Sequence, residues 1–585
     1  MNKLYKLIKP WLLPFGIALL LLLLNIVIRT LEPKILQATI EILQYGKINA
    51  SDRFLIAIKN ILIIIDSNTI QSKILLLGLL FICLAAMRSS LGLLSKSISI
   101  NASEQAMYKL RTDLFYHIQR LPVGAFEKIN KGELIQRSSG DMETIKNFLS
   151  NQSVELFRLI VTASFAIIML FIIHWKFALL SLILSPIILT ISIFFFKYES
   201  KVWEAHEEEA DKLTNIVQEN LNGLKTIQAY WKQDFEIKKF EIQNKRKYQA
   251  GMKNALLHTF YWPTMDFLSL TQTLLIICIG GYYVYVGDMR ISELATCYSY
   301  AGMISWPLKM IGRVLGQMGM AFVAIDRIEE IFNEPKEILK GRKDVSIHDT
   351  IYFDNIDFIY PNDNKVILNK IHFEVKQGEK IALMGTSGSG KTTLMKLLLR
   401  LYEPSNGQIR IGDTSLANIH QQYLRSKIGF VTQQPYLFSM DIKNNLRYAN
   451  ENREETELRE LLHISGFRNI TEIFPNELNT EVGEKGVSLS GGQKQRLSLA
   501  RTLTQPCDIL ILDDFTSALD KKTEKWVMAN ILKLLNDKTC FFITHRLETM
   551  YHADKVVVIS ENGSIETIGT PNEVITNSLF IKSIL

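Results

Sequence analysis

A segment that crosses a bilayer as a single continuous helix needs about 20 consecutive apolar residues, because hydrocarbon offers no partner to an exposed peptide group. This chain carries six such runs: about Trp11–Ile28, Leu75–Leu94, Leu156–Ile173, Phe177–Phe196, Thr259–Val286 and Leu294–Leu315. Between the third and fourth runs stand only His174–Lys176, and Gly287-Asp288 breaks the chain between the fifth and sixth. Each pair therefore reads as a helical hairpin. The polar segments after the second and fourth runs are long, lack Pro/Gly clusters and are rich in Lys and Arg, such as Lys109, Arg111, Arg120, Lys238, Lys245 and Arg246. They are expected to continue the helices out of the membrane. The excess of cations there, against Lys176 and Arg290 in the tight turns, places these segments and both termini on the cytoplasmic side. Met1–Pro10, with Lys3, Lys6 and Lys9, reads as an amphipathic elbow on that face rather than a cleavable signal.

The remainder of the chain is of another kind. Ile331–Ser346 is polar, with Pro335 and Gly341, and reads as a linker. Beyond it, short β-rich runs alternate with helical patterns: Lys380–Met384, Thr392–Leu401, Ile509–Leu512 and Cys540–Ile543. That alternation predicts an α/β domain with a parallel sheet. The expected organisation is an α-helical six-span membrane domain (1–330), a linker (331–346) and an α/β P-loop nucleotide-binding domain (347–585). The 585 residues are 48% hydrophobic and 21% charged, which suits one membrane part and one soluble part. A net charge of +7 gives no case for nucleic acid, since positive cytoplasmic loops explain it. The five cysteines are scattered without metal-ligand spacing.

Gly385-Thr386-Ser387-Gly388-Ser389-Gly390-Lys391-Thr392 follows a predicted strand and opens a predicted helix, the context a phosphate-binding loop requires. Glycines let backbone N–H groups turn towards phosphate oxygens, and the helix N-terminus adds positive potential. Lys391 is expected on the β- and γ-phosphates, with Thr392 on Mg²⁺ and the adjoining Thr393 in the same ATP site. Ile509–Asp513 reads as a buried strand ending in a carboxylate, the Walker B pattern, with Asp513 a second Mg²⁺ ligand. Between these two lies Leu489-Ser490-Gly491-Gly492-Gln493, ahead of a helix rich in Arg and Leu.

That pentapeptide, in that order, resembles the signature of ABC transporters, and with the six spans the resemblance covers essentially the whole chain. It implies a half-transporter of the exporter type, an ATPase working as a dimer. Each ATP would lie between one chain's P-loop and the signature, Leu489–Gln493, of the other. The remaining motifs follow position by position. Tyr360 resembles the aromatic that stacks on adenine. Gln433 is similar to the loop glutamine that contacts Mg²⁺ and the membrane domain. Glu484 resembles an acidic coupling loop of exporters, and Asp520 closes a loop that faces the opposite cassette. His545 matches the switch histidine on the γ-phosphate. Leu121–Phe126 with Gly132–Leu134, and Asn222–Tyr230, resemble the two cytoplasmic coupling segments.

One position departs from the family. The residue after the Walker B aspartate, usually a glutamate that polarises the attacking water, is Asp514. Asp is one methylene shorter, so its oxygens fall back by roughly 1–1.5 Å. A general base must lie within about 2.6–3.2 Å of its target, and a misplacement near 1 Å costs on the order of 10²-fold in rate. ATP binding should survive. The substitution resembles the weak-site subunit of heterodimeric exporters, so a different half-exporter is expected as partner, a homodimer being the alternative. The resemblance implies export of an amphiphilic, lipid-like, drug or peptide substrate across the plasma or inner membrane. The rival reading is a regulatory or channel-like ABC subunit that binds ATP with little hydrolysis. Arg88, Asp266, Lys309 and Arg313 lie in or near the spans. The first reading pairs Asp266 with a basic neighbour that fixes packing, with Lys309 and Arg313 at the solvated cytoplasmic end, and the second is a mildly basic inner cavity receiving anionic amphiphiles or peptides. Tyr282, Tyr283, Tyr285, Tyr298 and Tyr300 are expected to form an interfacial belt.

Overall fold

The structure is a computed structural model. It describes residues 9–48, 53–64, 69–129, 131–337, 341–361, 363, 365–474, 476–483, 486, 488–535 and 537–584. The N-terminal elbow lies almost wholly outside the described residues, as does Glu484. By internal packing the chain forms two compact units. One comprises residues up to Gln119 with Gly132–Asn333, and the other comprises Arg120–Lys131 with Glu334 onward.

The first unit is all helix. Six helical stretches among the described residues are long and apolar enough to cross a membrane: Lys9–Tyr45, Ile70–Ile118, Gly132–Ile173, Trp175–Asn222, Gln233–Val286 and Ile291–Asn333. All six run well past the apolar windows seen in the sequence. At about 1.5 Å per residue, the 54 residues of Gln233–Val286 reach roughly 80 Å, more than twice a hydrocarbon core. The first turn is tighter than its sequence suggests. His174 alone is extended, and its ring Nδ1 accepts the Phe177 N–H at 3.1 Å to cap the helix it opens. The next helix is not continuous. Ser181 ends one segment and Ser185, followed by Pro186, starts the next, because proline removes a donor the preceding turn would need.

Polar side chains fasten these helices. Lys309 donates from Nζ to Asp266 Oδ1 at 2.8 Å, so Asp266 does pair with a basic neighbour, but Lys309 is buried rather than at a solvated end. The Lys309 carbonyl in turn accepts from Ser192 Oγ and Tyr261 OH. Arg88 faces Glu32 at 3.1 Å. Tyr300 corrects the belt reading. It is fully buried and its hydroxyl donates to the Thr30 carbonyl at 2.7 Å, pinning the sixth helix to the first. Tyr282, Tyr285 and Tyr298 are exposed as expected of a belt. Glu41, a buried carboxylate with no counterpart in the sequence reading, accepts from Ser292 Oγ at 3.1 Å and Gln37 Nε2 at 3.4 Å.

The second unit contains two sheets. The larger has the order β10-β9-β3-β8-β7-β6. Its strands are β3 (Lys380–Gly385), β6 (Ile428–Val431), β7 (Ile509–Asp513), β8 (Thr539–Ile543), β9 (Lys555–Ile559) and β10 (Ile565–Gly569). All neighbours are parallel except β10 on β9. β7 and β8 are buried along their whole length, and β3 at every position after Lys380, which is why each reads as a continuous apolar run rather than an alternation. The smaller sheet is antiparallel, order β2-β1-β4-β5, built from β1 (Ile351–Ile359), β2 (Val366–Val375), β4 (Asn406–Ile411) and β5 (Thr414–Ser415). Phe353, Ile371 and Ile409 of this sheet share a core with Ile381, Leu383 and Phe541 of the larger one.

The Lys309–Asp266 pair generates a prediction. Asp266→Leu should lower resistance to unfolding by roughly 2 kcal/mol, since it strands the buried Lys309 ammonium. Adding Lys309→Met should recover more than half of that loss. Thermal unfolding of the three proteins in one detergent checks it.

Candidate nucleotide site

Three adjacent parallel strands, β3, β8 and β7, end on one edge of the larger sheet, and the loops beyond their carboxyl ends bring the motifs together. This is where open α/β sheets place their ligands. Register fixes the alignment, since Leu383 of β3 and Asp513 of β7 both pair with Ile543 of β8.

The loop after β3 turns on glycines. Gly385 has φ +142°, and a Cβ there would lie 2.2 Å from the Ile559 carbonyl oxygen. Gly390 has φ +97° and would meet Leu368 at 2.6 Å. No side chain fits either position. Within the loop, Lys391 folds back and donates from Nζ to the carbonyls of Gly385 (3.0 Å) and Thr386 (2.7 Å) and to Ser389 Oγ (3.4 Å). Burial pulls its ammonium below the ordinary lysine value, against the attraction of Asp513 and Asp514. Thr392 Oγ1 donates to Asp513 Oδ2 at 2.7 Å. Burial pushes the Asp513 carboxyl above the ordinary aspartate range, opposed by that hydrogen bond. A cavity of about 280 Å³ opens here. Tyr360, Ser387, Gly388, Gly390, Lys391, Thr392, Thr393, Gln433, Asp513, Asp514 and His545 all line it. Residues from across the sequence thus face one space. Tyr360 shares a 2.9 Å hydrogen bond between its hydroxyl and Thr393 Oγ1, which sets its ring at the cavity rim.

Asp514 carries a feature invisible in the sequence. Its backbone lies in the left-handed region, φ +47°, with its N–H bonded to the Ile543 carbonyl at 2.9 Å. Asp and Asn tolerate that conformation better than longer side chains. Gln433 Nε2 stands 3.5 Å from Asp514 Oδ2, at the limit of a hydrogen bond.

The signature lies outside this cavity. Ser490 caps the helix Gly491–Leu503 in a reciprocal box with Gln493, whose Oε1 accepts the Ser490 N–H at 2.8 Å. Gly491 and Gly492 start that helix, and Leu489 is buried beneath it. Asp520 caps the following helix, Lys521–Leu534, and hydrogen bonds from Thr523 and Lys522 hold its carboxyl below the ordinary range. A contact absent from the sequence reading joins the two elements. Gln495 donates from Nε2 to Ser517 Oγ (2.7 Å) and accepts the Ala518 N–H on Oε1 (2.9 Å). A glutamine inside a polar helix carries no signal that it would do this.

Both coupling segments contain short helices, Val123–Lys128 and Leu224–Ala229. The first belongs by its contacts to the second unit. A Cβ on Gly124 would meet Pro361 at 3.4 Å and Tyr402 at 3.7 Å, and Tyr402 stands edge-on to Tyr360 with ring centres 5.3 Å apart.

Family models match in the same order as these units. The ABC transporter transmembrane region matches residues 15–308, and the ABC transporter model matches 368–517. The chain belongs to the ABC transporter family. A probable multidrug resistance ABC transporter ATP-binding/permease protein of Bacillus subtilis is 31% identical over 80% of this chain and 80% of its own length. A multidrug resistance ABC transporter ATP-binding and permease protein of Lactococcus lactis is 30% identical over 82% and 81%. An ATP-dependent lipid A-core flippase of Desulfotalea psychrophila is 29% identical over 86% and 89%. This ABC transporter chain is therefore a multi-pass membrane protein with an ATP-binding, ATP-hydrolysing cassette, of a kind that generally works as a dimer.

The buried, raised Asp513 gives a test. Asp513→Asn removes a desolvated charge yet keeps an acceptor for Thr392. It should raise the unfolding temperature of the nucleotide-free cassette by about 2–4 °C. It should also abolish the gain in ATP affinity on adding Mg²⁺, measured by titration of the full chain.

Proposed function

We propose that this chain is the weak-site half of a heterodimeric ABC exporter that moves an amphiphilic substrate out of the cytoplasm or inner leaflet. The observation that carries the reading is Asp514 at the end of β7. Its side chain is one methylene shorter than that of glutamate, and its contact with Gln433 is loose. A water between it and the γ-phosphate would be poorly polarised.

The remaining residues suit ATP binding. Tyr360 offers a ring to the adenine, and the loop 385–391 offers N–H groups to the phosphates. Lys391 would leave its carbonyl partners for the β- and γ-oxygens, and His545, on the same cavity, would donate to the γ-phosphoryl group. The donor set fits Mg²⁺. A hydroxyl, a carboxylate and an amide (Thr392, Asp513, Gln433) are few, hard oxygen ligands that leave room for phosphate oxygens and water. Bound there, the ion would neutralise charge on the phosphates. The signature residues Leu489–Gln493 would meet the partner's ATP and complete a competent site. Glu484, Asp520 and the segments at 121–134 and 222–230 would carry cassette closure to the membrane helices. The cation-rich segments favour both termini on the cytoplasmic side of the plasma or inner membrane.

ATPase activity of the purified chain alone in nanodiscs, beside Asp514→Glu, tests this. Wild type should sit near background and the variant should gain on the order of 10²-fold. Turnover of wild type alone at about 1–10 s⁻¹ would show a competent homodimer and overturn the heterodimer reading.

A further inference from the structure

Within the second unit lies a cavity of about 320 Å³, within the range of small-molecule sites, that shares no lining residue with the nucleotide cavity. Three segments wall it. Pro122 and Gly124 come from the first coupling segment, Pro335–Glu337 from the start of this unit's main stretch, and Arg400–Glu403 from the chain just after the P-loop helix, Lys391–Leu398. These segments are tied together. The Glu337 N–H donates to the Arg120 carbonyl at 2.8 Å, and Arg425 donates to both Glu337 carboxylate oxygens at 2.9 and 3.0 Å. Arg425 also donates to the carbonyls of Leu399 at 3.1 Å and Arg400 at 2.8 Å. The walls are thus fixed by hydrogen bonds within the folded unit.

The lining is selective. Lys336 and Arg400 are balanced by Glu337 and Glu403, so it carries no net charge. Arg400 is held by Glu403 at 2.7 Å and by the Ile419 carbonyl at 2.9 Å. A charged guest would lose hydration with no net opposite charge to offset the loss. Flat apolar faces remain, the rings of Pro122, Pro335 and Tyr402, and these suit an aromatic guest. One polar group is unsatisfied. Gln421 lines the cavity and is only 7% exposed, and its Oε1 is buried without a hydrogen-bond partner among the described residues. A buried amide oxygen left unmet is costly, so the site calls for one N–H or O–H donor.

Tyr402 connects this cavity to the nucleotide. Its ring forms one wall and stands edge-on to Tyr360, with centres 5.3 Å apart, and Tyr360 lines the nucleotide cavity. A guest that fills the space behind Tyr402 restrains the Tyr360 ring before ATP arrives.

We propose that this cavity is an effector site for a small, neutral aromatic molecule with one hydrogen-bond donor, met by Gln421, and that its occupancy raises ATP affinity through Tyr402 and Tyr360. The inference does not depend on which chain is the partner or on what is exported.

The full-length transporter in phosphatidylcholine nanodiscs, free of nucleotide, is dialysed against indole, 1-methylindole and indole-3-acetate, with empty nanodiscs as the blank for partition into lipid. Indole should bind saturably, roughly fivefold or more tighter than 1-methylindole, whose donor is blocked, and roughly tenfold or more tighter than the charged acetate. Gln421→Met should bring indole down to the level of 1-methylindole. Leu401→Trp, which fills space in the cavity, should remove saturable binding of both. In a separate titration, saturating indole should tighten ATP binding by about threefold in wild type and leave it unmoved in Leu401→Trp. Equal affinity for the two indoles would mean that water suffices for Gln421, and overturns the proposal. So does an absence of saturable binding, tighter binding of the acetate, a preference for indole that survives Gln421→Met, or binding unaltered by Leu401→Trp. Indole bound as expected with ATP affinity unchanged or lowered overturns the effector role.

Discussion

Hydrocarbon gives a peptide group nothing to bond to, and that constraint organises the first half of this molecule. It forces long uninterrupted helices and confines breaks to places where a side chain supplies the missing partner, as His174 does for Phe177. It also makes each buried polar side chain an anchor. Tyr300 on Thr30, Lys309 on Asp266 and Ser292 on Glu41 each join one helix to another. Because the helices run far beyond the apolar windows, motion at their polar ends is carried by rigid rods rather than by loops.

The second half obeys a different rule, which is charge held in readiness. Lys391 is buried against carbonyl oxygens and Asp513 against a hydroxyl, and burial disfavours the charged form of both. A highly charged phosphate and its counter-ion relieve both at once. The nucleotide-free site thus stores unfavourable electrostatics that binding releases, at some expense to the stability of the empty cassette.

Much of this was legible in the sequence where chemistry demands both a residue type and a spacing. The six apolar runs, the glycine-rich loop, the carboxylate at the end of β7 and the signature all sit on the expected elements. What could not be read depends on tertiary context. The smaller sheet is built from strands with repeated register shifts and partners from distant segments, so its alternation is broken. Tyr300 looks like its neighbours until the first helix covers it. The backbone of Asp514 is set by the corner after β7, not by its own side chain. Glu484 falls outside the described residues, so its expected role stays a proposal.

Gln495 has a consequence of its own. One amide side chain clamps the signature helix to Ser517 and Ala518, three and four residues beyond Asp514. In a head-to-tail pair, the signature serves one nucleotide and the corner after Asp514 serves the other. On the pairing proposed above, a shift at one phosphate would reach the second through this amide, in the same chain and without passage through the membrane. The two ATP sites of such a pair would be wired in series, and a slow site would act as a clock for its neighbour.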